Sequence, residues 1–434
     1  MALESKLKNC VVSEMVSKTL LPPMIPVKQN MDKSHIPVEE IAGIVRDGLL
    51  NGFLQQKVKQ GMRVAISCGS RGVSNIAVIT KAIADTVYET GGKPFIFPAM
   101  GSHGGATAQG QTEVLLHQFG ITEETMGCPI LSAMDVIEVG ETPNGLKVFA
   151  DKNAAEADAI ILCNRIKAHT AFESAYESGI IKMAVIGMGK QHGAETVHNA
   201  GFVHMGNLLP QFAKVLFENT KIIGGIGLIE NAFNQTCKIA ILDKDEIFDK
   251  EPELLLEAKQ RMGHILLDNL DVLVVDRIGK NISGDGMDPH VTGRFAVPEA
   301  INGKSKAQRL AVLDLTDESR GNCLGIGLAD VTTKRLIDKY NIDYTYPNAV
   351  TSTVLNVCKV PIFACSDKAC IQLALQTCNG INMLNPRVVR ISDTLNLENI
   401  WISPALLEEA GSHPLIEIVG EQQKWSFDSS GNLW

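Results

Sequence analysis

The feature of this sequence that most constrains its fold is a repeated order of short apolar run, polar or glycine-rich loop, and helical pattern. Such runs lie at 62–67 (MRVAIS), 93–100 (KPFIFPAM), 157–167 (ADAIILCNRIK) and 220–231 (TKIIGGIGLIEN). Short apolar runs that alternate with helices predict βαβ units and a largely parallel sheet. Ligands of such sheets bind beyond the carboxyl ends of the strands, so we expect functional residues in the loops that follow these runs.

A second α/β region follows a long helical segment at 251–270. Its apolar runs at 271–279, 308–319 and 360–366 again alternate with helical patterns. The predicted fold class is therefore α/β, with two α/β domains whose sheets are largely parallel. We place these domains at 1–268 and 269–434, the second being the smaller, and expect the active site in the cleft between them.

Composition narrows the classes of partner. The formal net charge is −9 and no basic run appears, which argues against a nucleic-acid partner. The ten cysteines include no C-x-x-C pair, which argues against a zinc or iron–sulfur site and against a disulfide framework. The N-terminus has no apolar core of a signal peptide, and no segment reaches the ~18 apolar residues of a membrane span. We therefore expect a cytoplasmic protein that binds neither nucleic acid nor a membrane.

Loops after the predicted strands hold the first candidate residues. The loop CGSRGVSN offers backbone N–H groups at the start of a helix, with Ser74 as its N-cap, and Arg71, whose guanidinium suits a carboxylate or phosphate. The next loops hold His103 (GSHGG) and His169 (NRIKAHT). Each histidine alone is also consistent with an ordinary surface residue. Two near-neutral imidazoles at adjacent strand ends, however, suit proton transfer at both faces of a substrate.

A lysine interrupts an apolar run in SGIIKMAVIGMGKQHGAETVH (178–198). Burying an amine is costly unless it is paired, shifted in pKa or used chemically, so Lys182 is either a residue whose amine reaches solvent or a reactive group. His192, His198 and His204 are spaced by six, which is not the i,i+4 spacing of a metal pair on one helix face. Taken alone, this stretch leaves both interpretations of Lys182 open.

The ordered combination of GSRGVSN, MGSHGGA, NRIKAHT, SGIIK and the later VH resembles the nickel-dependent lactate racemase family, the LarA-like proteins. The resemblance covers most of the N-terminal domain and, more loosely, the loop at 279–294. It implies an isomerase: a racemase or epimerase that acts at C2 of a 2-hydroxy acid by proton-coupled hydride transfer.

The resemblance also implies a cofactor. In that family a lysine carries, through a thioamide, a nickel-pincer nucleotide (a pyridinium bisthiocarboxylic acid mononucleotide), and a later histidine completes the nickel coordination. Lys182 and His198 match this pair in spacing. Ser70 and Gly72 would contact the cofactor, and the glycines of GMGK would let the chain turn so that His198 reaches the metal. A neutral thioamide would remove the cost of burying Lys182.

The catalytic residues are carried over in the same way. His103 and His169 match the two histidines that alternate as general acid and base, and Arg71 matches the arginine that holds the substrate carboxylate. One histidine would take the proton of the 2-hydroxyl while a hydride leaves C2 for the cofactor. The hydride would then return to the opposite face while the other histidine reprotonates the oxygen.

The sequence departs from the family pattern in ways that concern the substrate. The interval from His169 to Lys182 is longer than in the family, and a tyrosine and lysine motif of the second domain is replaced by GMDPHVTGR. Thr292 stands near the tyrosine position and Arg294 near that of the lysine. A larger 2-hydroxy acid than lactate, such as a sugar acid or a dicarboxylic hydroxy acid, would use Arg294, Lys280 or His290 as additional polar contacts.

Two other interpretations stay open. One is a non-catalytic ligand-binding or regulatory α/β protein that keeps the carboxylate pocket. The other is a metal hydrolase or lyase that uses His192, His198 and His204 around zinc or manganese. Under the racemase interpretation the expected partners are a small 2-hydroxy acid and the maturation enzymes that build the cofactor, and an oligomer is compatible with it.

Overall fold

The computed structural model describes residues 11–69, 72–301, 303 and 305–434, and the chain forms two compact units. The N-terminal unit is Asp32–Met262, and the C-terminal unit joins Gly263–Trp434 to Met1–Met31. These units differ from the expected domains, 1–268 and 269–434, chiefly at the N-terminal segment. The physical reason is that a strand in this segment pairs with two strands near the C-terminus.

The strands of the described residues are β1 (Ile25–Gln29), β2 (Arg63–Cys68), β3 (Lys93–Pro98), β4 (Val136–Glu141), β5 (Lys147–Asp151), β6 (Ala159–Arg165), β7 (Ile222–Glu230), β8 (Thr236–Asp243), β9 (Leu270–Ile278), β10 (Ala307–Leu315), β11 (Val331–Thr333), β12 (Ile362–Ala364), β13 (Val388–Ile391), β14 (Asn399–Ile402) and β15 (Ile416–Ile418).

The α-helices of the same residues are α1 (Val11–Val16), α2 (Val38–Asn51), α3 (Leu54–Lys57), α4 (Ile76–Glu89), α5 (Ala108–Phe119), α6 (Glu123–Met126), α7 (Lys152–Ala155), α8 (Ile180–Lys182), α9 (Lys190–Asn199), α10 (Phe202–Asn219), α11 (Ile247–Arg261), α12 (Pro289–Thr292), α13 (Lys334–Lys339), α14 (Ile342–Ser352), α15 (Asp367–Gln376) and α16 (Leu407–Ser412). A π-helix, Met183–Gly187, follows α8. Short 3-10 helices lie at Gly104–Ala106, Lys244–Glu246, Pro298–Ala300, Asp317–Ser319, Ile326–Leu328, Asn356–Cys358 and Pro404–Leu406.

The N-terminal unit is built on a sheet with the strand order β3-β2-β6-β7-β8. The first four strands are parallel, and β8 runs antiparallel to β7 at one edge. Apolar residues at four-residue intervals on α2, Ile41, Val45 and Leu49, are fully buried in the core of this unit. Because the strands are parallel, the loops after β3, β2 and β6 leave the same edge of the sheet.

The C-terminal unit contains a sheet with the strand order β12-β11-β10-β9-β13-β14-β1-β15. The strands from β12 to β13 are parallel, and β14, β1 and β15 extend the sheet in antiparallel fashion. The predicted α/β class with largely parallel sheets is therefore confirmed. Within the described part of the chain, no helix is both long and apolar enough to cross a membrane.

Candidate active site

The loop after β2 approaches the helical segment that carries Lys182. A Cβ atom at Gly69 would lie 3.1 Å from Met183 Cε, which is closer than ordinary van der Waals contact. The same strand end is joined to the next loop, because the Ala99 N–H donates to the Cys68 carbonyl at 2.8 Å. Two of the post-strand loops and the lysine segment therefore share one edge of the N-terminal sheet.

A neighbouring carboxylate accepts one of the backbone N–H groups of CGSRGVSN, the loop in which the sequence predicts an anion site. Ser74 is not the N-cap of α4: the cap falls one residue later, in a left-handed conformation without a side-chain hydrogen bond. The Ser74 N–H instead donates to Glu230 Oε1 at 2.7 Å. Gly72 is exposed, whereas Ser70 and Arg71 lie outside the described residues, so the predicted roles of these three residues stay predictions.

Lys182 ends the short helix α8 and is followed directly by the π-helix. Single π-helical turns occur frequently at functional sites. The first N–H groups of α8, at Ile180 and Ile181, donate to Glu251 Oε2 at 2.8 and 3.0 Å. At Gly179 a side chain would overlap the Glu251 carboxylate. The start of the lysine helix is therefore held by a buried acid from α11.

His198 lies on α9 within electrostatic reach of Lys182. Burial, together with the positive charge of Lys182, lowers the pKa of His198 to about 4. Its imidazole is therefore neutral at physiological pH. A neutral imidazole nitrogen is the form that binds a metal ion.

His169 follows β6 in a loop that a buried acid organises. Its backbone N–H donates to Glu177 Oε2 at 2.7 Å, and Glu177 forms an ion pair with Lys259 at 2.7 Å. The His169 Nδ1 accepts a hydrogen bond from the Ala171 N–H at 3.0 Å. In the neutral ring the proton therefore resides on Nε2.

An aromatic cluster connects two of the predicted site residues. The Phe202 ring centroid lies 5.9 Å from that of His169 and 5.7 Å from that of His198. The Phe172 ring belongs to the same cluster, with its centroid 4.4 Å from that of His169. His169, Lys182 and His198 come from separate loops and helices, and the fold brings them into one neighbourhood.

His103 is exposed in the loop after β3. The loop turns at Gly101, which has a φ of 58°, and a Cβ atom there would lie 3.3 Å from the Ile186 carbonyl oxygen on the π-helix. The Gln111 side chain donates to the Gly101 carbonyl at 3.0 Å and to the His103 carbonyl at 3.3 Å. The loop that carries His103 therefore packs against the segment that follows Lys182.

The predicted substrate contacts of the C-terminal unit take part in local interactions. The Lys280 ammonium donates to the Gly284 carbonyl. Thr292 is buried, and its hydroxyl accepts the Arg294 N–H at 3.2 Å. The Arg294 guanidinium donates to Asp330 Oδ2 at 2.7 Å and to two backbone carbonyls at 3.3 and 3.0 Å. Their roles in substrate binding stay predictions.

The glycines of GMGK were expected to let the chain turn towards His198, but the turn is made at another residue. Gly189 has a φ of −69°, and the residue with a left-handed φ, of 54°, is Lys190. The glycines allow close packing instead, since a Cβ atom at Gly187 would lie 2.5 Å from Met183 Sδ.

Two buried residues of this region, Lys190 and Glu251, were not among the site residues expected from the sequence. Lys190 could have been found by the argument applied to Lys182, because it is a second lysine in the same apolar stretch.

A metal site of protein side chains alone is not present among the described residues. Across residues 11–69, 72–301, 303 and 305–434, no group of three or more His, Cys, Asp or Glu side chains could hold a metal ion. His192 and His204 are exposed, and the His192 ring packs 5.5 Å from Phe149. The hydrolase interpretation based on His192, His198 and His204 therefore has no support from this geometry.

Comparisons with known proteins include one match to a family model and two similar solved structures. Residues 16–208 match the family model of the lactate racemase N-terminal domain. The structure is similar to the lactate racemase apoprotein from Thermoanaerobacterium thermosaccharolyticum, with 13% identity, a TM-score of 0.51, and coverage of 86% of this chain and 99% of that chain. It is also similar to a protein from Thermotoga maritima, with 13% identity, a TM-score of 0.49, and coverage of 79% and 92%. No curated protein matched the sequence.

At this identity the structural likeness concerns the fold alone, and the likeness to a family rests on the family model, which matches less than half of the chain. Over residues 16–208 the chain is therefore similar to the N-terminal domain of the lactate racemase family.

Proposed function

We propose that this protein is a racemase or epimerase that acts at C2 of a 2-hydroxy acid, with a nickel-pincer nucleotide attached to Lys182. The observation that carries the proposal is the proximity of Lys182 and His198, whose sequence spacing matches the cofactor pair of the family. His169 belongs to the same neighbourhood through Phe202.

The side chains present fit such a cofactor. Lys182 would hold it through a thioamide at Nζ, which replaces a charged amine with a neutral group in a half-buried place. His198 is held neutral by burial, so a ring nitrogen can coordinate a soft nickel centre. When bound, such a group supplies reversible acceptance of a hydride. A metal held by a cofactor and one imidazole needs no cluster of protein ligands.

The histidines would handle the proton of the substrate hydroxyl. Racemisation removes this proton from one enantiomer and returns it to the oxygen of the other, which two proton carriers on different loops, His103 and His169, can perform. At His169 the exchange would take place at Nε2, because Nδ1 accepts the Ala171 N–H. An imidazolium donates from both nitrogens, so this contact must open when the ring is protonated.

The substrate class follows from the same proposal. A 2-hydroxy acid presents a carboxylate, for which Arg71 is the predicted partner. Lys280, Thr292 and Arg294 are the predicted contacts for a substituent larger than the methyl group of lactate. A screen of 2-hydroxy acids for loss of optical rotation or for exchange between enantiomers would identify the substrate.

The intact mass of the protein, co-expressed with the maturation enzymes, tests the proposal, followed by mapping of peptides that contain Lys182 and Lys190. We expect an adduct of nucleotide size on Lys182 and retained nickel. Lys190 is the internal control, because its amine is fully buried beside Asp151 and should stay unmodified. An unmodified Lys182 under these conditions would overturn the proposal and favour a ligand-binding protein without catalysis.

A further inference from the structure

A buried charged network lies under the loop that carries His103. Lys190, the first residue of α9, is fully buried, and its Nζ lies 3.1 Å from Asp151 Oδ2, whose side chain is also fully buried. The contact is that of an ion pair without hydrogen-bond geometry, since Asp151 Oδ2 has no hydrogen-bond partner. Asp151 Oδ1 accepts the Ala154 N–H at 2.9 Å and so caps α7.

The ammonium of Lys190 contacts the base of the His103 loop and a side chain of the helix that supports the loop's tip. It donates to the Pro98 carbonyl, at the end of β3, and to Gln111 Oε1 at 3.2 Å. Gln111 is fully buried on α5. Its amide group donates to the Gly101 and His103 carbonyls, so it links Lys190 to the loop. One side chain therefore ties the start of the loop to the helix that supports its tip.

Burial favours the neutral forms of both Lys190 and Asp151, whereas an ion pair between them needs the charged forms. Burial lowers the pKa of Lys190 and raises that of Asp151, so it disfavours both charged forms. Apolar side chains of similar size often replace a buried ion pair without loss of stability. Lys190 also adopts a left-handed φ of 54°, which is unfavourable for a residue with a side chain. The stability of the fold does not by itself require a lysine at this position. A side chain that donates hydrogen bonds to both the Pro98 carbonyl and Gln111 does require one.

We propose that Lys190 is a positioning residue that, through Gln111, holds the His103 backbone in the place where its imidazole exchanges a proton with the substrate. The inference rests on the proposed function for the role of His103. The positioning itself is a property of the chain and can be measured without cofactor or substrate.

The first test measures amide hydrogen exchange of the loop 99–107 in the apoprotein. Lys190→Met keeps the length of the side chain and removes its donors, and Asp151→Asn in the same chain removes the unpaired carboxylate. We expect the loop to exchange about tenfold faster in the double variant, since hydrogen bonds to a charged group are lost. Exchange of the helix α4 should stay unchanged. Gln191→Met, one residue further along α9, is the matched control.

A milder variant keeps the inference testable if the lysine variants do not fold. Gln111→Leu leaves Lys190 and Asp151 paired and removes the donors to the Gly101 and His103 carbonyls. It should also raise loop exchange by about tenfold. Loop exchange that stays at the level of the parent protein in both variants would overturn the inference.

The second test separates positioning from a general structural role. In the loaded enzyme, Lys190→Met should lower kcat by about tenfold or more with a smaller change in KM. In a His103→Ala background the same substitution should have no further effect on kcat, because it acts through His103. An equal loss of kcat in both backgrounds would overturn the inference. If no racemase activity is found at all, the proposed function fails, and the exchange measurement still decides the positioning.

Discussion

Glu251 offers a quantitative test of how the lysine helix is held. The carboxylate is almost fully buried on α11, and its Oε2 accepts the N–H groups of Ile180 and Ile181 at the start of α8. Burial raises the pKa of Glu251 to about 7, and the two backbone hydrogen bonds oppose this shift only in part. Replacement by glutamine keeps an oxygen acceptor for both N–H groups and removes the titration.

The size of the expected effect on stability follows from the shift in the pKa of Glu251. The pKa of this glutamate rises from 4.5, its ordinary value in a solvated chain, to about 7 in the folded protein, so the folded state binds the proton more tightly than the unfolded state does. Since one pKa unit corresponds to ~1.4 kcal/mol, the linked free energy of unfolding is about 3 kcal/mol. The contribution of Glu251 is fully present below about pH 4.5 and is lost as the pH rises through about 7. Relative to Glu251→Gln, the parent protein should therefore become less stable towards alkaline pH.

The assay has to report on the N-terminal unit. Trp401, Trp425 and Trp434 all belong to the C-terminal unit, so tryptophan fluorescence would not follow α8. Hydrogen exchange of peptides from α8 and α11, measured from about pH 5 to pH 9 and corrected for the intrinsic rate, follows it directly. Glu253→Gln is the matched control, because Glu253 lies on the same helix with an exposed side chain paired to Lys250. Parallel pH profiles of the parent protein and Glu251→Gln would refute the reasoning.

Further predictions concern catalysis and packing. His103→Ala and His169→Ala should each lower turnover in both directions by about 10²–10⁴-fold without loss of the cofactor adduct, as steady-state rates and intact mass will show. Gly187→Ala should destabilise the N-terminal unit by about 1–3 kcal/mol, because its Cβ would lie 2.5 Å from Met183 Sδ; hydrogen exchange of the π-helix measures this. Arg294→Met should destabilise the C-terminal unit by about 1–3 kcal/mol, measured by tryptophan fluorescence in urea, because it removes the ion pair with Asp330 and one hydrogen-bond donor from each of two backbone carbonyls.

The parts of the fold that the sequence predicts are those with local signals. The four N-terminal runs form β2, β3, β6 and β7, and the helix predicted after MRVAIS is α4. Each of these elements is predicted by the pattern of its own apolar residues: β2 has five buried residues in succession, and α4 buries residues at helical spacing. Parallel pairing then follows from the helical crossovers.

The elements that escaped prediction depend on contacts between distant parts of the chain. β1 joins a sheet through β14 and β15, which lie far along the sequence, and its five residues alternate between buried and half-buried. The cap of α4 shows the same effect at the scale of one residue. Ser74 has the side chain of an N-cap, but the cap is Asn75, and the Ser74 N–H donates to Glu230 at the end of β7. A local preference gives way there to a tertiary partner.

The two lysines of the 178–198 stretch show why the site could be predicted only in part. The sequence argument, that an amine in an apolar stretch must be paired, shifted in pKa or used chemically, applies equally to Lys182 and Lys190. The structure distinguishes them by their burial and by the residues around them. Lys190 is fully buried against the carboxylate of Asp151, whereas Lys182 is half-buried, and its charge adds to the effect of burial in lowering the pKa of His198. Lys190 forms an ion pair with an acid, whereas Lys182, if it carries the proposed thioamide, would exchange a charged amine for a neutral group in its half-buried place.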